Sequence, residues 1–149
     1  MPIQDAFGAA VDAMPLALPG MIAEGQQVKD VASKRVTTAP VAFGLAVGRD
    51  GTDAGTCRLG GTGFEGIAII DKTRVGDEYI VGEMAGILRK GTVWVTASTA
   101  VDAGDAVTFT AATGVIGEGL ASTIAGAKFE TSGGSVILFV SICRKEQRQ

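Results

Sequence analysis

The chain has 149 residues, 46% hydrophobic and 19% charged, which suits one globular domain with a real core and argues against disorder. A net charge of −3, a pI of about 4.9 and the lack of a basic stripe speak against a nucleic-acid partner. Histidine is absent, and with it the usual general base, the commonest metal ligand and every Ser–His or Cys–His nucleophile pair.

Residues 1–35 read as an N-terminal arm. Ile3, Ala6, Phe7, Ala10, Val11 and Met14 form one helical stripe, with Pro2 tolerated in a first turn and Pro15 ending it. The stretch that follows, Met14 to Ile22, is apolar and broken by Pro15 and Pro19, so it is extended rather than helical. It is too short to span a bilayer, and no Lys or Arg precedes Lys29 to make a signal peptide. The expectation is a protein made in the cytoplasm, with no membrane contact. A short helix and a greasy extended arm suit docking: Ile3, Phe7, Val11, Met14, Leu16, Leu18, Met21 and Ile22 are the candidate partner-binding residues. The alternative is that the arm packs on its own domain.

From residue 36 to 143 the pattern is strands and turns, and residues 144–149 form a charged tail. Candidate strands are 41–47, 57–59, 64–70, 79–81, 85–88, 92–97, 106–110 and 135–143, each bounded by Gly, Asp, Ser or Thr clusters. Glycine, at 22 residues, is about twice as frequent as usual and fits many tight turns. Asp50-Gly51-Thr52-Asp53 reads as a hairpin turn. Val93, Val95 and Ala97 alternate with Trp94 and Thr96, a strand with two unlike faces. Residues 136–140, Val-Ile-Leu-Phe-Val, are apolar on both faces and predict a central strand. Val75-Gly76-Asp77 and Ala103-Gly104-Asp105 look like one strand-opening turn used twice. The fold class is mainly β, a single sandwich or small barrel behind the arm.

Signals of chemistry are weak. Gly61-Thr62-Gly63-Phe64-Glu65-Gly66 spells G-x-G-x-x-G, but it precedes a strand, not the helix that would hold a pyrophosphate. It reads as a Gly-rich turn. Gly76 to Glu83 resembles a segment of the trimeric all-β dUTPases, yet Asp77 stands two residues before Tyr79 rather than three and the phosphate motif is missing. Asp77 and Glu78 are neighbours on a strand and point to opposite faces, so they do not converge for acid–base or Ca²⁺ work. Cys57 and Cys143 show no C-x-x-C spacing; they are expected to stay reduced, the alternative being one disulfide between them. No cofactor, metal or catalytic residue is expected.

Five segments in order carry a resemblance. Ala6–Gln26 (AFGAAVDAMPLALPGMIAEGQ), Phe64–Thr73 (FEGIAIIDKT), Leu88–Val95 (LRKGTVWV), Val101–Val107 (VDAGDAV) and Gly126–Ser132 (GAKFETS) resemble the structural cement proteins of tailed phages. The resemblance spans nearly the whole chain and departs at Gly133-Gly134, which precede an unusually apolar strand. It implies a compact β domain on the outer face of assembled major capsid protein, commonly a homotrimer, without catalysis. The expected place is the virion surface. The second reading is a receptor- or glycan-binding β module of a tail or fibre, which one Trp and one Tyr supply poorly. The third, a trimeric β nucleotide hydrolase, lacks its motifs.

Overall fold

Short runs of β-branched and apolar residues between glycines favour strands over helices here, because glycine weakens helices and each turn can take a positive φ. The computed structural model describes residues 18–22, 30–61, 63–134 and 137–142. Among them there are thirteen strands and no helix. They are β1 (Asp30–Thr37), β2 (Val41–Ala42), β3 (Ala46–Asp50), β4 (Asp53–Leu59), β5 (Phe64–Ala68), β6 (Glu78–Tyr79) and β7 (Met84–Thr96). β8 (Ala100–Val101), β9 (Ala106–Phe109), β10 (Ile116–Gly117), β11 (Ser122–Phe129), β12 (Gly133–Gly134) and β13 (Ile137–Ile142) follow. The helix expected over residues 3–14 lies outside the described residues, as does the charged tail.

The strands join in the order β1-β4-β3-β5-β7-β13-β11-β9-β10, and β1 also pairs with β7. That extra pairing closes β1, β4, β3, β5 and β7 into a five-stranded barrel. β1 runs parallel to β4 and antiparallel to β7. β7 belongs to two layers. Its first half pairs with β1 and β5, and residues 91–96 leave the barrel to pair with β13. Residues Ala85–Leu88 and Thr92–Ala97, expected as two strands, therefore fall on one continuous strand that ends at Thr96. Arg89-Lys90-Gly91 interrupts the apolar pattern, but the ladder continues through Lys90↔Asp30 and Gly91↔Ile142. The expected strand 41–47 is split instead, because Gly44 takes φ +83° between β2 and β3.

Two cores result, separated by the barrel wall. Val36, Val47, Cys57, Ala68, Ala85 and Ile87 fill the barrel, while Ala46, Ile67 and Leu88 face outward onto Val93, Val95, Val107, Phe109, Ile124 and Phe129 of the second sheet. Each of β3, β5 and β7 thus sends one residue of an adjacent pair to each core, as the two-residue period of a strand requires. Val93, Val95 and Ala97 are buried and Thr96 is exposed, matching the alternation read from the sequence. β13 lies between β7 and β11, the central place expected for it. The Gly133-Gly134 departure forms β12, paired with β8.

The turns follow the local sequence. Asp50–Asp53 closes the β3–β4 hairpin with Gly51 at φ +62°. Gly76 and Gly104 take φ +113° and +95°, and the carbonyls of the next residues, Asp77 and Asp105, each accept a backbone bond at 3.0 Å, from Phe43 and Phe129. The device is used twice. The strand region opens at Asp30 rather than at residue 36, because β1 is a barrel stave.

Candidate interaction surfaces

Of the arm residues singled out in the sequence, Leu18, Met21 and Ile22 lie within the described residues, whereas Ile3, Phe7, Val11, Met14 and Leu16 do not. Residues 18–22 are stitched to their own domain. The Gly20 N–H donates to Trp94 O at 2.8 Å, Trp94 N–H to Met21 O at 2.9 Å, and Ile70 N–H to Gly20 O at 2.9 Å. Ile22 bridges Val93 and packs against the outer core. Gly20 sits at φ +82°, where a Cβ would lie 2.8 Å from Ile70 N and 2.9 Å from Ala68 O, so no larger residue fits. This contact covers the edge of β7 opposite β13. Leu18 remains exposed and helps line an apolar groove of ≈ 460 Å³ with Pro19, Phe43, Leu45 and Ile70.

The G-x-G-x-x-G run does open a strand, as its order in the sequence indicated. Its role is structural. Between β3 and β5, Gly48 faces Phe64 and Val47 faces Gly66, so Glu65 is the extra residue of a bulge. A bulge re-aims a side chain. Here Glu65 turns into the barrel, 4% exposed, to meet Arg49 (Nη2–Oε1 2.8 Å, Nε–Oε1 2.9 Å) and Lys34 (Nζ–Oε2 3.4 Å). Lys34 also donates to Ala54 O at 2.7 Å. Gly66 must be glycine, since a Cβ would stand 2.3 Å from Leu88 O. A cleft of ≈ 450 Å³ beside the bulge is lined by Arg49, Arg58, Gly61, Gly63, Phe64 and Glu65. No backbone cradle at a helix N-terminus exists there. Sequence reasoning missed Glu65, because no local pattern marks a bulge.

Cys57 is buried and free beside this ionic cluster, and Cys143 lies outside the described residues. Burial pushes the Cys57 thiol up to about 11, so it stays protonated and unreactive at neutral pH. Among the described residues no group of His, Cys, Asp or Glu could hold a metal ion.

The connection from β5 to β7 presents a different surface. Arg74 pairs with Glu83 and lies over the Tyr79 ring, 5.4 Å from its centroid. Glu83 Oε2 accepts from Ile80 N–H at 2.9 Å, and Asp71 Oδ1 accepts from the Thr73 N–H and hydroxyl at 2.9 and 2.6 Å. The Arg74 hydrogen bond, then that from Ile80, holds the Glu83 carboxyl below its ordinary range; the Thr73 bonds do the same for Asp71. Tyr79 donates to Ile69 O at 2.8 Å and meets Phe43 edge to face, 5.2 Å between centroids. Burial raises its pKa.

A family model for structural cement protein (E217 gp24/Pam3 gp6) matches residues 7–141. The chain belongs to that family. A chain from a structure of the capsid of Myoviridae phage XM1 shares the fold: TM-score 0.66, 16% identity, 89% of this chain and 96% of that one covered. The head fiber gp8.5 N base of bacteriophage phi29 aligns more loosely, at TM-score 0.48 and 11% identity over 82% of this chain and all 100% of that one. Comparison with the curated proteins finds no match. Membership in the cement family gives the chain a structural role in a phage capsid. Of the aromatic side chains whose burial is described, Tyr79, Phe43, Phe109 and Phe129 are buried and Trp94 and Phe64 half-buried, so these six form no exposed aromatic platform.

Proposed function

We propose that this chain is a non-enzymatic decoration protein that binds the outer surface of the assembled major capsid protein lattice, as a homotrimer, and stabilises the expanded head. The carrying observation is the cement-family match over residues 7–141, which runs from the arm to the last described strand. A protein that binds the expanded lattice and not its precursor stabilises the expanded state by mass action. Contacts repeated around a shell add through multivalency, so each one can be modest.

The arm belongs to this mechanism. Its stripe of Ile3, Phe7, Val11, Met14 and Leu16 precedes Leu18, which already lies exposed at the lip of an apolar groove. Burying such side chains is worth roughly 1.5–3 kcal/mol each, a driving force toward a capsid subunit or a neighbouring copy. The cut that isolates this role falls before residue 18, because residues 20–22 bond to β7 and Ile70. Deleting residues 1–17 leaves a domain that melts near the full chain's temperature while capsid affinity, trimer mass or both fall.

Co-sedimentation with expanded and unexpanded capsids tests the reading, together with light scattering of the free protein. Pelleting with expanded shells alone is the expected result. Equal pelleting with both kinds of shell, or with neither, sinks it.

A further inference from the structure

Six large hydrophobic residues are exposed among the described ones, and four of them, Val75, Ile80, Val81 and Met84, fall within ten residues of chain. Val75 is fully exposed, and the other three are 51–58% exposed. Scattered apolar residues on a surface need no explanation, but a cluster on one loop does. This one is held from beneath. The Arg74 side chain reaches both Tyr79 and Glu83, which ties the segment before Val75 to the turn of residues 80–83. The turn is closed by Glu83 N–H donating to Ile80 O at 3.2 Å, and it is tied to the barrel by Gly82 N–H to Val36 O and Val36 N–H to Glu83 O, both 2.8 Å. A loop pinned through its polar groups with its apolar side chains outward has little ordering entropy left to lose on binding.

We propose that the β5–β7 connection, residues 71–84, is a preformed docking surface for a capsid subunit bearing an apolar patch bordered by basic residues. The segment carries the carboxylates Asp71, Asp77, Glu78 and Glu83 against Lys72 and Arg74, a net charge of −2. Glu83 pairs with Arg74, and Asp71 and Lys72 offset one another in charge, so Asp77 and Glu78, both exposed, carry the segment's net negative charge next to Ile80 and Val81 in the chain. A surface that combines exposed apolar side chains with uncompensated carboxylates is complemented by an apolar patch with basic residues at its rim. Another copy of this chain is the poorer fit, since it too carries a net charge of −3. The tip of the β3–β4 hairpin offers less: Gly51, Thr52, Asp53, Ala54 and Gly55 are exposed but include no large apolar side chain. The assignment of the partner as a capsid subunit rests on the function proposed above.

The test compares the full chain with two variants, V75S/V81S/M84S and D77K/E78K, using expanded capsid shells stripped of this protein. All five side chains are exposed, so both variants should melt within a few degrees of the parent. The expected result is an affinity for shells lowered by about tenfold or more in each variant, with unchanged solution mass. A T52A variant at the hairpin tip should bind as the parent does. Parent-like binding by both loop variants overturns the docking site while leaving the cement reading intact. A changed solution mass in a loop variant overturns the occupant in favour of another copy. A parent chain that binds no shell overturns the cement reading, and the proposal with it.

Discussion

The two ends of the barrel are closed by opposite chemistry. At one end Phe43 and Tyr79 pack edge to face, and the tyrosine hydroxyl is satisfied by Ile69 O. At the other, Lys34, Arg49 and Glu65 converge on one bulged strand, with the glutamate almost wholly buried. The aromatic end gains from apolar burial, so loss of one neutral hydrogen bond there should cost little. The ionic end has paid desolvation for each charge, so it is stable only while the set is complete. Removing a partner and removing a contact are therefore different experiments, even within one small barrel.

The largest expected effect comes from breaking the ionic set. Glu65→Ala strands the Lys34 ammonium, whose side chain is 8% exposed, and should cost about 3–5 kcal/mol in denaturant unfolding. A loss below about 1 kcal/mol would mean that water reaches Lys34 readily, which erases the contrast between the ends. The double replacement Lys34→Met with Glu65→Leu sharpens it. Arg49 can turn to solvent, since its side chain is 43% exposed, so the apolar pair should be neutral or stabilising. If the pair unfolds the protein as badly as Glu65→Ala, the bulge geometry rather than the charge holds that end.

At the aromatic end, Tyr79→Phe removes the bond to Ile69 O and keeps the ring, so a loss of only about 0.5–1.5 kcal/mol is expected in thermal unfolding. A loss as large as that of Glu65→Ala would make the two ends alike. A last prediction, silent at neutral pH, concerns Cys57, which is buried beside the ionic cluster. Its thiol titrates at about 11 when folded against an ordinary 9.0, so the folded state holds the proton more tightly. Its contribution is full below pH 9 and fades between pH 9 and 11, as ionisation favours the unfolded chain. In a Cys143→Ser background, alkylation of Cys57 at pH 8 should be slow until denaturant is added, and rapid labelling of the native protein would show that the barrel opens locally.

Much of this was legible in the residues. Turn chemistry is local, so the Asp50–Asp53 hairpin and the paired Gly-Asp turns before β6 and β9 could be read directly. Strand alternation is local as well, and Val93, Val95 and Ala97 face inward as their spacing indicates. The order of five short segments was enough to point to the cement family, which the match over residues 7–141 bears out.

Tertiary structure alone decided the rest. Nothing in Asp-Val-Ala-Ser-Lys-Arg-Val-Thr marks β1 as a barrel stave, since it buries only Lys34 and Val36 and owes its place to ladders with β4 and β7. Likewise Glu65 reads as a polar loop residue until a bulge between β3 and β5 turns it toward two cations from other strands. Leu18 to Ile22 looked free to seek a neighbour, yet β7 and Ile70 hold its backbone; Ile80 and Val81 fell in an expected strand over 79–81, yet their side chains face water. Composition and periodicity determine which residues can be buried and where the chain turns. Which of them are buried depends on pairings between strands tens of residues apart, and those follow from closing the sheet.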